Sequence, residues 1–310
     1  MFEISYLKLG QKGVINYDIP VYSIGQGKPE ITITCSVHGD ETAGLFIVND
    51  FLKKIKNIKL NGKINIIPSA NPVAQFLHSR TAFLDQKDLN RSGSGNAFGS
   101  YTDRLANVLF NFLIKSDIVI NIHEFEMISP VMGIFDCLED KEKEFENKIL
   151  EVVKIFNPDM IWKIDYEKTS DNQYQTTLDM ALTKAGIINF PFETSQLSLI
   201  TKENINKASE GLVNIVSHFN IIDKKPEITK KDIPVFVRKE FSSELAGLWE
   251  PSENLKLLEK VQKGDLIGKI VNLPDFSETE IYAEDTGVLI QYRHRQIVGN
   301  GASIYSIGQD

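Results

Sequence analysis

The chain has 310 residues, of which 42% are hydrophobic and 25% are charged, and its formal net charge at pH 7 is -8. This composition is typical of a globular protein and excludes a collagen-like, coiled-coil or disordered chain. The acidic balance argues against binding to nucleic acid, which usually requires a basic face. No basic N-terminal segment leads into an apolar one, and no apolar run reaches about 18 residues, so we expect a cytoplasmic protein without a membrane partner.

Strand-like and helix-like segments alternate from about residue 30 to about residue 220, which predicts a sheet flanked by helices. The clearest predicted strands lie at residues 31–37, 63–68, 118–122 and 187–192. Two amphipathic helices are predicted to pack on this sheet. Their apolar faces are Leu45, Val48, Leu52 and Ile55 in the first, and Leu105, Val108, Leu109 and Phe112 in the second. Cys35 and Cys137 lie in apolar surroundings and are expected to be buried free thiols.

The helical periodicity stops near residue 225, and a polar stretch extends from there to Pro234. Short strand-like segments at residues 235–238, 266–271 and 287–290 follow, separated by turn residues. We therefore predict an α/β domain over residues 1–225 that carries the functional site, and a smaller β-rich domain over residues 226–310. No sequence feature decides between a monomer and a homo-oligomer.

The motif His38-Gly39-Asp40-Glu41 directly follows the first predicted strand. His38 would lie in the loop that leaves the strand, and Glu41 in the first turn of the next helix. Catalytic zinc typically takes three ligands from His, Glu and Asp side chains and keeps a fourth position open. His38 and Glu41 are candidates for a short pair of such ligands.

His123 is the candidate third ligand because it follows the apolar strand at residues 118–122. The carboxyl ends of strands in open α/β sheets are where ligands usually bind, so His123 would reach the crevice that the first motif borders. A hydrogen-bonded core histidine is the alternative interpretation of His123 taken alone. Together, His38, Glu41 and His123 favour a site for a single zinc ion.

A long polar connection between the second strand and the next helix contains Arg80 and the motif Asp88-Leu89-Asn90-Arg91. Long loops in compact domains are often functional. Arg91 can bind a carboxylate through two parallel hydrogen bonds, and Asn90 can add a third donor. Arg80 could stabilise the oxyanion that forms when water adds to a carbonyl. Taken singly, each arginine could instead be a solvated surface group.

Glu193 follows the last predicted strand of the α/β region and is the candidate general base. A carboxylate beside an activated water can remove its proton and later deliver it to a leaving nitrogen. Glu124 and Glu126 are rival bases, but strand alternation would point Glu124 away from His123 if the strand continues. We therefore favour Glu193.

In order and approximate spacing these motifs resemble those of the succinylglutamate desuccinylase/aspartoacylase family, a branch of zinc-carboxypeptidase-like enzymes. The resemblance implies a mixed central sheet flanked by helices and a C-terminal β domain like a biotinyl or lipoyl carrier barrel. It also implies zinc on His38, Glu41 and His123, with Glu193 as general base and Arg80 polarising the scissile carbonyl. Asn90 and Arg91 would then hold the substrate carboxylate.

Two features depart from that family pattern. Asn121 stands where the family commonly has Asp, two residues before the third ligand, so no negative charge is available there to support the ligand. The run Ser92-Gly93-Ser94-Gly95 replaces a Phe-Pro-Gly run. The C-terminal domain also has no modifiable lysine beside Met or Asp in the appropriate turn, so we expect it to act as a wall or lid.

The sequence thus predicts a zinc-dependent hydrolase that cleaves the amide bond of a small N-acyl amino acid. A metallocarboxypeptidase is the first alternative, because the same residues could hold the C-terminal carboxylate of a peptide. An inactive module that binds a metal or a small ligand is the second alternative.

Overall fold

The computed structural model describes residues 2–12, 15–136, 143–164, 172–229 and 232–309. Its helices are α1 (Ala43–Ile55), α2 (Pro72–Phe76), α3 (Tyr101–Leu113), α4 (Lys143–Phe156), α5 (Leu178–Lys184) and α6 (Lys202–His218). The strands up to residue 195 are β1 (Glu3–Leu7), β2 (Gln11–Lys12), β3 (Ile15–Asn16), β4 (Ile19–Gly25), β5 (Glu30–Thr34), β6 (Lys63–Ile67), β7 (Ile118–Phe125), β8 (Met132–Asp136), β9 (Met160–Ile164) and β10 (Ile188–Ser195). The later strands are β11 (Val235–Ser242), β12 (Gly247–Pro251), β13 (Lys260–Val261), β14 (Leu266–Asn272), β15 (Glu278–Tyr282), β16 (Gly287–Tyr292), β17 (Gln296–Val298) and β18 (Ser303–Gln309).

A mixed sheet of 12 strands forms the centre of the fold, in the order β1-β4-β6-β5-β7-β10-β8-β9-β11-β18-β16-β13. Strands β6, β5, β7 and β10 run parallel to one another, whereas β8 is antiparallel to β10. Helices α1, α4 and α6 pack on one face of this sheet, and α3 and α5 pack on the other. The predicted mixed α/β fold with a central sheet flanked by helices is therefore confirmed.

The central strands are buried on both faces, as is usual for parallel strands covered by helices. In β7, Ile118, Ile120 and Ile122 belong to the core on the α1 side. Val119 belongs to the core on the opposite side. The odd-numbered positions that follow Val119 in β7 therefore face the α3 and α5 side, where the polar residues of the site collect.

The first predicted strand and helix need two corrections. β5 ends at Thr34 instead of continuing to residue 37, because the chain turns at Ser36, whose φ of +54° is incompatible with an extended strand. α1 begins only at Ala43, with Thr42 as its N-cap, so Glu41 lies in the preceding turn and not in the first helical turn. The buried stripe of α1 is centred on Ile47, Val48, Phe51 and Ile55, and it leaves Leu45 and Leu52 only partly buried.

The C-terminal strands continue the central sheet through β11, which pairs in parallel with β9. β12, β14, β15 and β17 form a second, four-stranded sheet. The two sets of strands enclose a separate core around Trp249 and Tyr305. A smaller C-terminal β unit is thus present, while the boundary placed at residue 225 stays a prediction.

Two further sequence predictions concern single features. Cys35 is a buried free thiol, whereas Cys137 lies outside the described residues. Within the described ranges, no helix is both long and apolar enough to cross a membrane.

Candidate metal centre

The His38-Gly39-Asp40-Glu41 motif forms a tight turn after β5 that packs against α2. The Gly39 amide donates to the Ser79 carbonyl, at an N···O distance of 3.0 Å. A Cβ atom at position 39 would lie only 2.0 Å from the backbone carbon of Ala74. Glycine is therefore required here because the turn and the helix backbone approach too closely for any side chain.

Strand alternation brings His123 and Glu193 to the same face of the sheet. The two residues are register partners on the parallel strands β7 and β10. Both are buried or nearly so, and both line the pocket that contains His38 and Glu41. His123 lies within β7 instead of just beyond its end, because the strand continues to Phe125. Glu124 accordingly points to the other face, where its Oε1 accepts a hydrogen bond from the Gly44 amide of α1.

The three predicted ligand residues converge with their ligand atoms within 4.8 Å of one another. Nδ1 of His38 lies 2.6 Å from Glu41 Oε1, and Nδ1 of His123 lies 2.9 Å from Glu41 Oε2. All three side chains are buried. Two imidazole nitrogens and a carboxylate around one point form a donor set that suits zinc, so the residues present fit the ion that the sequence predicts.

The carboxylate of Glu41 and the imidazoles of His38 and His123 each stabilise the charged form of the other. Burial alone would raise the pKa of Glu41, but His38 and His123 outweigh it and hold that pKa at about 2. Burial disfavours the charged form of His38, yet Glu41 and Asp88 together raise the pKa of His38 to about 9. Burial likewise opposes a raised pKa at His123, and Glu41 overcomes it. The ionised Glu41 carboxylate thus lies between two histidines and can bind a cation or a proton together with them.

Asp88 contacts His38, the first predicted ligand, and the sequence had not revealed this contact. Its Oδ1 lies 3.0 Å from Nε2 of His38, and its Oδ2 accepts hydrogen bonds from Nε and Nη2 of Arg80 at 3.2 and 2.8 Å. Because a carboxylate only accepts hydrogen bonds, Asp88 would hold the proton of a metal-bound, neutral His38 on Nε2 and leave Nδ1 to bind the metal. Despite partial burial, His38 and Arg80 hold the pKa of Asp88 well below its usual range.

We expect Asp88→Asn to weaken zinc binding by about 10- to 100-fold, the usual cost of losing a carboxylate behind a ligand histidine. The measurement is a competition titration against a chelating dye. Asp50→Asn serves as the matched control, because Asp50 pairs with Lys54 and Ser209 away from the cluster. Equal zinc affinities of Asp88→Asn and wild type would contradict this role for Asp88.

Arg80, Asn90 and Arg91 line the same pocket as the metal ligands. Nη1 of Arg80 lies 3.9 Å from Glu41 Oε1, so the guanidinium reaches the edge of the cluster. Oδ1 of Asn90 accepts a hydrogen bond from the Leu178 amide, which orients the Asn90 NH2 group as a donor. The Arg91 guanidinium lies over the ring of Tyr174, 5.5 Å from its centroid. Donors for an anionic group therefore stand beside the predicted metal position.

Three buried polar atoms of the pocket-lining residues have no partner among the described residues: Oε2 of Glu193, Nε2 of His123 and Oε2 of Glu124. Burial is the main cause that raises the pKa of Glu193, with Glu41 adding to it, to about 8. Buried polar atoms are rarely left without hydrogen bonds, and the exceptions often have a catalytic explanation. Burial, a free carboxylate oxygen and a raised pKa are therefore combined at Glu193, as expected for a group that accepts and returns a proton.

Asn121, the departure from the family pattern, is fully buried and takes part in a polar chain. Its Oδ1 accepts a hydrogen bond from Thr34 Oγ1, and its Nδ2 donates to Asp179 Oδ1. Asp179 is buried and also lines the pocket. The carboxylate missing from position 121 thus has a counterpart one hydrogen bond away, contributed by the first turn of α5. No local sequence pattern marks Asp179, because only tertiary packing brings α5 beside β7.

Aromatic side chains form the wall of the pocket on the side of the C-terminal strands. Phe125 and Trp162 lie against the buried Arg238 of β11, whose guanidinium carbon is 5.1 and 4.9 Å from their ring centroids. Tyr174 packs edge-on against Trp162 and hydrogen-bonds to Arg238. The C-terminal unit therefore contacts the aromatic residues of the pocket through Arg238, which carried no recognisable signal in the sequence, and its role as a wall or lid stays a prediction.

Comparisons with known proteins place the chain in a family. A family model for the succinylglutamate desuccinylase/aspartoacylase catalytic domain matches residues 27–219. The N-alpha-acetyl-L-2,4-diaminobutyric acid deacetylase of Halomonas elongata is 24% identical over 313 residues, covering 96% of this chain and 86% of the relative.

Solved structures show the same fold. The product-bound ectoine utilization protein EutE (DoeB) from Ruegeria pomeroyi has a TM-score of 0.85 and 21% identity, covering 100% of this chain and 95% of that one. The succinylglutamate desuccinylase/aspartoacylase from Rhodobacter sphaeroides has a TM-score of 0.79 and 20% identity, covering 95% and 90%. The family model matches more than half of the length of this chain, so the chain belongs to the succinylglutamate desuccinylase/aspartoacylase family of deacylases.

Proposed function

We propose that this chain is a zinc-dependent amidohydrolase that removes the acyl group from an N-acyl amino acid, with one zinc ion per chain held by His38, Glu41 and His123. The main observation behind the proposal is that one pocket contains three features of such an enzyme. Three ligand atoms converge there, an unpartnered buried carboxylate faces them, and hydrogen-bond donors for an anion stand beside them. A metal-dependent amidohydrolase uses a metal, a base and an anion site together.

A bound zinc ion would supply Lewis-acid polarisation of the amide carbonyl and lower the pKa of a water molecule. Glu193 accepts the proton of the attacking water at Oε2, as the water oxygen bonds to the carbonyl carbon. Arg80 stabilises the negative charge that develops on the carbonyl oxygen. Glu193 then returns the proton to the nitrogen as the C–N bond breaks, which gives a carboxylic acid and a free amine, and the acid loses its remaining proton to solvent.

Asn90 and Arg91 hold the carboxylate of the amino-acid part of the substrate. The orientation of the Asn90 amide supports this role, because its acceptor oxygen is occupied by Leu178 and its NH2 group is left to donate. Two donors of fixed direction place the scissile amide at a defined distance from the base, which lowers the entropic cost of the reaction.

The experiment is a hydrolysis assay of the zinc-loaded protein on a panel of N-acyl compounds, with release of free amine as the readout. The panel contains an N-acetyl amino acid, an N-succinyl amino acid and a longer peptide that ends in the same residue. Turnover of the small N-acyl compounds but not of the peptide is the expected result. Faster turnover of the peptide would favour a carboxypeptidase, and zinc binding without any turnover would favour a binding module.

We also expect Arg238→Met to raise KM by about tenfold with a smaller effect on kcat, because Phe125 and Trp162 would lose the cation that packs against them. Buried cation–π contacts contribute about 2 kcal/mol, equivalent to roughly 30-fold, and we expect about tenfold of this to be lost from substrate binding. The readouts are steady-state kinetics and the fluorescence of Trp162, measured with Trp249 replaced by Phe. Lys239→Met is the matched control, since the neighbouring Lys239 pairs with Asp285 at the surface. Unchanged KM and unchanged Trp162 emission would contradict this support role.

A further inference from the structure

One side of the pocket is apolar, and the proposed reaction assigns no role to it. Ile134 of β8 and Trp162 of β9 are register partners, and Ile164 lies two residues further along β9. All three side chains are buried and line the pocket. Glu193 of β10 pairs with Met132, two residues before Ile134, so its side chain leaves the sheet on the same face. The apolar wall, which consists of Ile134, Trp162 and Ile164, therefore begins directly beside the proposed base.

The order of the strands separates the apolar wall from the predicted metal position. His123 lies on β7, and β10, β8 and β9 follow in that order across the sheet. Neighbouring strands are about 4.8 Å apart, so the strand of Trp162 lies about 14 Å from that of His123, with Glu193 between them. Asp179 lies at the metal end, because its carboxylate accepts hydrogen bonds from Asn121 of β7 and from its own backbone amide. The pocket thus has a polar end and an apolar end.

The amino-acid part of the substrate, and not the acyl part, would face the apolar wall. Tyr174 packs edge-on against Trp162, with ring centroids 5.7 Å apart, and the Arg91 guanidinium lies over the Tyr174 ring. The proposed carboxylate site therefore adjoins the wall. Glu193, which protonates the leaving nitrogen in the proposed reaction, adjoins the wall as well. Because the carboxylate and the nitrogen are both bonded to the α-carbon, the side chain on that carbon is the part nearest the wall.

We propose that the apolar wall binds the side chain of the amino acid, which makes the substrate class N-acyl derivatives of apolar amino acids such as leucine. This inference rests on the proposed function, because it takes Asn90 and Arg91 to hold the carboxylate and Glu193 to protonate the nitrogen. An apolar side chain that leaves water for this wall gains affinity in proportion to the area that it buries. The wall therefore selects the amino acid, whereas the metal and the base act on the amide.

Charged side chains fit the apolar wall poorly. Arg91 lies over the ring of Tyr174. Arg238 lies over the rings of Trp162 and Phe125. A substrate ammonium group at the wall would be repelled by both guanidinium groups. An anionic side chain would exchange water for the two isoleucines of the wall, whose side chains cannot form hydrogen bonds.

The test compares kcat/KM of the zinc-loaded wild type for N-acetylleucine, N-acetylalanine, N-acetylaspartate and N-α-acetyl-2,4-diaminobutyrate. Leucine and aspartate side chains share a branched shape and differ in charge, whereas alanine ends at Cβ. We expect N-acetylleucine to be preferred over N-acetylalanine by about 30- to 100-fold, because three further carbon atoms are buried. The two charged substrates should be no better than N-acetylalanine. Equal values for leucine and alanine, or a preference for either charged substrate over leucine, would overturn the proposal.

Ile134→Thr tests the wall itself, because it keeps the branch at Cβ but places a hydroxyl group against the substrate. The ratio of kcat/KM for N-acetylleucine to that for N-acetylalanine should fall by about tenfold. Ile161→Thr is the matched control, since Ile161 is the buried neighbour of Trp162 on β9 but belongs to the core on the other face of the sheet. It should leave the ratio unchanged. An unchanged ratio in Ile134→Thr, or an equal fall in Ile161→Thr, would overturn the proposal.

Failure of the proposed function would be visible separately as absence of turnover on all four substrates. Calorimetric binding of free leucine, alanine and aspartate to the zinc-loaded wild type then makes the same comparison, without relying on the folding of any variant. Tighter binding of leucine than of alanine and aspartate would support the apolar subsite. Equal binding of the three amino acids, or tighter binding of aspartate, would overturn it.

Discussion

Glu193→Gln should abolish hydrolysis almost completely while the protein keeps its zinc. The amide retains the size of the side chain but cannot accept a proton from water, and positioned general bases contribute about 10²- to 10⁴-fold to rates. We therefore expect kcat to fall by about 10³-fold or more, with KM little changed. Rapid kinetics of amine release and metal analysis of the same sample measure both quantities.

The matched control for this variant is Glu126→Gln. Glu126 was a rival base in the sequence, but it is exposed and its carboxylate lies 3.5 Å from Arg293 of the C-terminal unit. Its amide variant should keep kcat within about threefold of wild type. Normal turnover by Glu193→Gln, or a collapse in Glu126→Gln, would show that the base has been misassigned.

His123→Ala should remove both zinc and activity. In the proposed site His123 is one of three protein ligands, so its loss should weaken zinc binding by more than the roughly 10- to 100-fold that follows loss of a carboxylate behind a ligand histidine. We expect zinc well below one equivalent per chain after dialysis, and hydrolysis at the level of the buffer. Mass spectrometry of the metal and the amine-release assay are the measurements.

His218→Ala is the control for this second prediction. His218 lies at the end of α6, where its ring packs edge-on against Phe219. It should keep one zinc per chain and full activity. Stoichiometric zinc in His123→Ala would instead favour the interpretation of His123 as a core histidine.

Much of the fold was predictable because apolar periodicity directly reflects burial. The segments at 63–68 and 118–122 became β6 and most of β7, since continuous apolar runs are typical of parallel strands covered on both faces. Boundaries were less predictable: the chain leaves the sheet at Thr34 because of the local backbone at Ser36, and α1 starts two residues after Glu41. Such ends depend on turn conformation and on contacts such as the close approach at Gly39.

The candidate site was predictable where a motif or a strand end marks it. His38 and Glu41 share a motif, and His123 and Glu193 come at or near the carboxyl ends of neighbouring parallel strands. Their convergence follows from the topology of the sheet. The residues that contact this set from other elements were not predictable from a motif or a strand end. Tertiary packing of α5 brings Asp179 to the pocket, and tertiary packing of β11 brings Arg238 against the aromatic residues of its wall, and no local pattern encodes either.

Glu124 shows how strand geometry can decide between rival residues. It follows His123 directly in sequence, and alternation alone predicts that its side chain leaves the opposite face of β7. The structure has it accepting a hydrogen bond from the Gly44 amide of α1. Burial raises the pKa of Glu124 to about 8, so a raised pKa by itself would not have distinguished it from Glu193. The two residues are distinguished by the face of the sheet on which each side chain lies.

The most direct test of the proposed mechanism is a zinc titration of the metal-free protein with hydrolysis of an N-acyl amino acid as the readout. The proposal predicts no turnover without metal, a linear rise in rate with added zinc, and a plateau at one equivalent per chain. Hydrolysis at the full rate by metal-free protein, or stoichiometric zinc binding without any turnover across the N-acyl panel, would contradict it.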